Sequence, residues 1–169
     1  MNDELLVSVV LPFYQAPNLN TAIDSILSQS YPHFELLLID NNSDVATRSI
    51  ALKYIKDQHV KLIKEPRQGV VFAMNKGIEN AKGEYIMRMD ADDYAYPDRI
   101  RKQLSSLQED PDIGVVSGGV VYHGNEENEG FRLYVDWLNS IMSNDEIHIN
   151  QFVEFPMANP SLMFRTHLP

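Results

Sequence analysis

Short apolar runs alternating with amphipathic segments are the feature that most restricts how this chain can fold. Leu6–Leu11 (LVSVVL) and Phe34–Ile39 (FELLLI) are almost continuously apolar, and Tyr85–Met89 (YIMRM) repeats the pattern around one arginine. Runs this short and this apolar suit strands covered on both faces. Between them the period changes. Asn18–Gln29 carries Leu19, Ile23, Ile26 and Leu27 at helical spacing, with Asn18 or Asn20 available as a cap. A second helix is expected from Ser43 to Lys56 with Ala46, Ile50, Tyr54 and Ile55 inward, then a short strand Val60–Ile63. Gly69–Ala81 reads as a helix ended by Gly83. Pro97 suits the first turn of a helix that presents Ile100, Leu104 and Leu107 on one face and stops at Asp110-Pro111. Ile113–Tyr122 reads as a strand bent at Gly118-Gly119. A helix near Leu133–Met142 and a last strand at Ser161–Phe164 follow a weaker pattern. Repeated β–α units predict an α/β fold: a Rossmann-like, mostly parallel sheet flanked by helices on both faces.

Composition removes whole classes of chemistry. None of the 169 residues is cysteine, which excludes disulfides, thiolate zinc sites and cysteine nucleophiles. The balance of 14 basic against 24 acidic residues, a net charge of −10, argues against nucleic acid as a partner. No apolar run approaches the ~18 residues of a membrane span. The acidic start Met1-Asn2-Asp3-Glu4 is unlike a signal peptide. The expectation is a cytoplasmic protein without a transmembrane segment.

Open parallel sheets bind ligands beyond the carboxyl ends of their strands. Four such ends are readable: Pro12-Phe13-Tyr14-Gln15, Asp40-Asn41-Asn42-Ser43-Asp44, Glu65-Pro66-Arg67-Gln68-Gly69 and Asp90-Ala91-Asp92-Asp93. No G-x-G-x-x-G or P-loop follows the first strand, so a glycine-rich phosphate cradle is missing, and a ring stacked on Tyr14 is the more natural ligand. Asp40 is a lone carboxylate that could accept from a nucleobase N–H or a ribose hydroxyl, or could simply belong to a turn. Asp90, Asp92 and Asp93 crowd three carboxylates behind one strand. That crowding suits Mg²⁺ or Mn²⁺ bridging to a diphosphate, or else a solvated turn before a helix. The five histidines have no metal-ligand spacing and there is no G-x-S-x-G elbow.

At these residues the sequence resembles a family 2 glycosyltransferase of the GT-A fold, over nearly its whole length. Val7-Ser8-Val9-Val10-Leu11-Pro12-Phe13-Tyr14 is similar to the family's opening strand, with Gln15 where Asn is usual. Ser25–Pro32 resembles its S-[IVL]-L-x-Q-[ST]-[YL] helix end, and Asp40–Asp44 its D-[DN]-x-S-x-D turn. Gly69–Ile78 resembles G-x-x-x-A-x-N-x-G-[IL], with Met74 where Arg is usual. Ala81–Ile86 followed by Asp90-Ala91-Asp92-Asp93 resembles A-x-G-[ED]-[YF]-[IVL] and the D-x-D motif. Asn159–Arg165 resembles H-P-[ST]-x-M-[FIV]-R, with Asn159 in place of His.

The resemblance implies transfer of a sugar from a UDP-sugar to an acceptor hydroxyl, inverting and dependent on a Mg or Mn cation, in bacterial cell-surface glycan synthesis. It implies that Pro12, Tyr14 and Asp40 hold the uracil, with Asp44 and Arg67 near the base or ribose. Asp90 and Ala91 would face the ribose and sugar, and Asp92, with Asp93 adjacent, would carry the metal. The partners implied are the UDP-sugar and a glycan or lipid-linked glycan acceptor, at the inner face of a membrane if peripheral association occurs. Residues 1–123 are expected to form the donor-binding subdomain, and 124–169 the start of a truncated acceptor-side subdomain. No residue matches the family's general base, an Asp expected downstream of Pro169, so the sheet is expected to be that of a GT-A domain incomplete at its C-terminus. A catalytically silent nucleotide-sugar binding module is the alternative.

Overall fold

The computed structural model describes residues 5–124 and 128–167. Strands β1 (Val7–Phe13), β2 (Phe34–Asp40), β3 (Val60–Lys64) and β4 (Tyr85–Arg88) alternate with helices α1 (Leu19–Leu27), α2 (Val45–Ala51) and α3 (Val70–Asn80). Helix α4 (Arg99–Glu109), the short β5 (Val115–Val116), helices α5 (Glu129–Ser140) and α6 (Asn144–Asn150), a 3₁₀ turn (Asn159–Ser161) and β6 (Met163–Arg165) complete the order. The six strands form one sheet in the order β3-β2-β1-β4-β6-β5. β1, β2, β3 and β4 are parallel, whereas β6 runs antiparallel to both β4 and β5.

Both faces of the sheet are covered, which is why its central strands are mostly apolar, with Ser8 of β1, Glu35 and Asp40 of β2 and Arg88 of β4 as the exceptions. On one face Val7, Val9, Leu11 and Phe13 of β1 pack with Leu19, Ile23 and Ile26 of α1, Ala51 of α2 and Ile100, Leu104 and Leu107 of α4. On the other, Val10, Leu37, Ile39 and Ile86 pack against Ala73 of α3. Contact there is close: a Cβ added to Gly77 would lie 2.2 Å from Cγ1 of Val10. Only a glycine lets α3 approach β1 this nearly.

Several elements differ from the expectation: α5 spans Glu129–Ser140 rather than Leu133–Met142, and Pro97 precedes the Asp98 cap of α4 instead of sitting in its first turn. The second helix is shorter than Ser43–Lys56; Thr47 and Ala51 point inward, while Ala46 and Ile55 are exposed. The strand over Ile113–Tyr122 shrinks to Val115–Val116: the Gly118 amide still donates to the Ser161 carbonyl in the β5–β6 register, but the Ser161 amide turns to Ala158 in the 3₁₀ turn and returns no second bond. The final strand is shifted to Met163–Arg165, and helix α6 was not foreseen. Among the described residues, no helix is long and apolar enough to cross a membrane.

Candidate active site

The sheet opens where its strand order reverses. From β1 the chain goes to β2 on one side and later to β4 on the other, the topological switch at which such sheets take ligands. The β1–β4 ladder ends at Val10 and Arg88, while β1 continues beside β2 to Phe13. Pro12 lies past the last β4 partner, so its missing N–H leaves no gap in the ladder. The two strands part there around a cleft of about 520 Å³. Pro12, Tyr14, Asn41, Gly69 and Val70 line it from one side, and Asp90, Ala91 and Asp92 from the other.

Its walls are built by side chains clamping loops. Asn41 follows β2, and its amide nitrogen donates to the carbonyls of Arg67 (2.6 Å) and Glu65 (3.2 Å). Its amide oxygen accepts from the Gly69 N–H at 2.8 Å. Gly69 itself has φ of +133°, a conformation that L side chains rarely adopt. The third loop is thus pinned to the end of β2, delivering Gly69 and Val70 to the cleft wall. Tyr14 is 43% exposed and lines the cleft.

Asp40 is not a lone carboxylate. Its Oδ1 accepts from the Ser43 amide (2.8 Å) and hydroxyl (2.6 Å), and its Oδ2 accepts from Nε of Arg48 at 2.6 Å. Burial pushes the Asp40 carboxyl up, but the hydrogen bonds from Arg48 and Ser43 outweigh it and hold the group below the usual carboxylate range. Three bonds leave about one of the roughly four acceptor sites of a carboxylate unused.

The acidic turn divides its carboxylates. Asp90 is held by Arg88 through both oxygens, at 3.0 and 3.2 Å. Asp93 is half-buried, and its carboxyl is raised by burial and by the neighbouring Asp92 and Asp90 charges, against the pull of Arg99 and Arg88. Asp92 is exposed on the cleft lining, with no hydrogen-bond or ion-pair partner among the described residues. Among those residues, no three His, Asp or Glu side chains converge to enclose a metal. A cation that keeps several waters and binds through one or two carboxylates plus phosphate still fits Asp92.

The sequence model of the Glycosyl transferase family 2 matches residues 8–167. The chain belongs to that family. Bifunctional glycosyltransferase pgtA of Dictyostelium discoideum is 32% identical over 145 residues, covering 75% of this chain and 19% of that protein. Mannosyltransferase PcManGT from Pyrobaculum calidifontis, solved with GDP-Man and Mn²⁺, superposes with a TM-score of 0.67 at 23% identity, over 94% of this chain and 44% of that one. S. aureus TarS 1-349 in complex with UDP gives a TM-score of 0.70 at 20% identity, over 96% and 47%. These likenesses show the GT-A fold, and this chain spans less than half the length of each of the three.

In this family 2 chain, the positions read from the motifs fall into two groups. Pro12, Tyr14, Asp90, Ala91 and Asp92 meet in one cleft. Asp40, Asp44, Arg67 and Asp93 do not line it. Asp44 caps α2 by accepting from the Thr47 amide at 2.7 Å, and it lines a neighbouring hollow with Gln15, Pro17 and Ile50. Arg67 is bound through two nitrogens to Glu65 (2.9 and 2.8 Å), and its guanidinium lies 4.8 Å over the Phe72 ring. The contributions of Asn41, Gly69 and Val70 to the cleft were missed. The available signal was residue type: the glycine at 69 and the Asn41-Asn42 pair, types that favour the positive φ found at Gly69 and at Asn42 (64°).

Proposed function

We propose that this family 2 chain binds a UDP-sugar in the β1–β4 cleft and serves its transfer to an acceptor hydroxyl, with inversion and with the help of Mg²⁺ or Mn²⁺. The observation that carries the reading is the meeting of an exposed tyrosine ring and a partnerless carboxylate across one cleft at the switch point of a GT-A sheet. Support for a nucleotide diphosphate and a cation comes from solved relatives of the same fold, one holding UDP and another GDP-Man with Mn²⁺.

In this reading the base stacks on Tyr14 against Pro12, and Asp40, behind the cleft lining, holds the turn at the end of β2 beside the base. Asp44 and Arg67 form the outer rim near the base and ribose. Asp90 and Ala91 face the ribose and sugar. Asp92, with Asp93 adjacent, holds the cation, which when bound offsets the charge that develops on the leaving diphosphate. The chain's own work is to fix the donor: the pinned 65–69 loop sets the base wall, and Arg88 holds Asp90 beside the sugar end. We assign residues 1–123 to donor binding and 124–169 to the opening of the acceptor side. The acceptor is a glycan or lipid-linked glycan of the bacterial surface, met in the cytoplasm at the inner membrane face.

Thermal shift with UDP, GDP and UDP-sugars, with and without Mn²⁺, tests the reading. Stabilisation by UDP that grows with Mn²⁺ is expected, as a ligand bound only by the folded state must produce. A folded sample that responds to no nucleotide overturns it.

A further inference from the structure

The acidic turn and the 159–161 turn are joined by one largely buried guanidinium. Arg99, in the first turn of α4, donates from one terminal nitrogen to the carbonyl of Arg88 (2.8 Å) and to that of Pro160 (2.7 Å). Its Nε donates to Oε1 of Gln103 at 3.0 Å. Gln103, one helical turn on and itself buried, donates from Nε2 to the Ser161 carbonyl at 2.6 Å. The Arg88 amide donates to Leu162 O at 2.9 Å, closing the ring. Arg88 is the residue whose side chain grips Asp90. A chain of direct hydrogen bonds therefore runs from the Pro160–Leu162 segment through Arg99 and Gln103 to the strand end that carries the acidic turn.

The electrostatics agree with this geometry. Burial pushes the Arg99 guanidinium down to about 10, and the Asp93 and Asp90 charges hold it up. A desolvated cation is retained only where hydrogen bonds and opposing charges offset its burial. Here both are supplied by the acidic turn's strand and by the 3₁₀ turn. A lysine at this position would keep the charge but could not bond two carbonyls and a glutamine in a planar fork.

We infer that Arg99, braced by Gln103, is a positioning residue: it sets the height and tilt of the Asp90–Asp92 edge of the cleft by tying it to the Pro160–Ser161 turn. The inference rests on the donor reading above. The Asp92 carboxylate can engage a cation and a diphosphate together only if the turn is held to within a fraction of an ångström. Arg99 touches neither, so its effect falls on the increment of binding that the metal adds, and not on contacts at the Tyr14 end.

The test compares UDP affinity by calorimetry in EDTA and in Mn²⁺ for the wild type, Arg99→Lys, Arg99→Met and Gln103→Leu, with melting temperatures measured alongside. Arg99→Lys is expected to keep its EDTA affinity and to lose about tenfold or more of the Mn²⁺-dependent gain. Gln103→Leu should lose a smaller part of the same gain, and it carries the test together with Arg99→Lys if Arg99→Met fails to fold. Equal losses in EDTA and in Mn²⁺ indicate general loosening and overturn the inference. So does an Arg99→Lys protein with the full metal-dependent gain, since charge alone then suffices. A wild type with no Mn²⁺-dependent UDP binding overturns the donor reading and this inference together, whereas a responsive wild type with unaltered variants overturns the inference alone.

Discussion

Nε of Arg48 lies 2.6 Å from Oδ2 of Asp40, so the carboxylate at the end of β2 is held from below by a residue of α2 rather than left open to the cleft. The Asp40 side chain is almost fully buried, while that of Arg48 is about one-third exposed. The pair therefore joins the wet surface of α2 to the floor of the second strand-end turn.

Replacing Arg48 by Met should make the protein sensitive to mild acid. In the wild type, the Asp40 carboxyl is held below its ordinary value, so its contribution is complete above the unfolded value of about 4 and disappears as pH falls through the lower folded one. Without Arg48 the upward push of burial is less opposed, and the acid unfolding midpoint moves to higher pH. Urea unfolding followed from pH 7 to pH 3 reads this directly. A midpoint unchanged by the substitution would show that Ser43 alone suffices to hold the carboxylate.

Asp92→Asn should leave the stability of the free protein within about 0.5 kcal/mol of wild type, because the carboxylate is exposed and makes no bond to lose. The same substitution should abolish the extra stabilisation that Mn²⁺ adds to UDP. Melting curves in UDP alone and in UDP with Mn²⁺ check both halves. Retention of the metal increment would remove Asp92 from the cation's ligands.

Glu65 should titrate far below an ordinary glutamate. The side chain and amide of Arg67 bond to it and take its carboxyl down to about 2, against the upward push of its own desolvation. The third loop should thus keep this clasp down to strongly acidic pH, with the stability it supplies lost only between about 4.5 and about 2. In Arg67→Met the titration should return to the ordinary glutamate range. Carbon-detected NMR of the Glu65 carboxyl distinguishes the two, and a wild-type midpoint near 4.5 contradicts the clasp.

Gly77→Ala should destabilise the fold by about 1–3 kcal/mol through overpacking, since the new methyl would lie 2.2 Å from Cγ1 of Val10. The better helix propensity of alanine offsets up to about 1 kcal/mol of this. Combining it with Val10→Ala should recover part of the loss, because the two sites share one space. Strict additivity in chemical denaturation would count against the contact.

Strands covered on both faces were legible because their burial demands apolar residues at nearly successive positions: β1, β2 and β4 announce themselves. The C-terminal third was harder to read because its signals are local or long-range and seldom periodic. The start of α6 is a capping box in which Ser143 and Glu146 exchange hydrogen bonds, a Ser-x-x-Glu pattern open to recognition but not followed by an apolar stripe. β6 has three residues and takes its direction from partners far away in sequence, Met87 with Met163 and Ile86 with Phe164. Loop composition exposed the candidate site, since Pro12, Tyr14 and Asp92 stand at strand ends where the fold class predicts a ligand. It did not reveal which carboxylates were already occupied. Asp40 with Arg48, Asp90 with Arg88 and Glu65 with Arg67 pair at separations of eight, two and two residues, but each pair lies at or beyond the end of a strand, where no single repeat runs through both partners to mark them in advance.

The late return of β6 into the sheet also has a temporal side. During synthesis β1, β2, β3 and β4 leave the ribosome in succession and can pair at once, but the free side of β4 must wait until Met163–Arg165 emerges. Until then its backbone is an unpaired edge beside a half-built cleft, open to pairing with another nascent chain. The segment that supplies the missing edge also brings the Pro160 carbonyl that receives Arg99. Protection of the nascent sheet and the final setting of its acidic turn thus arrive together.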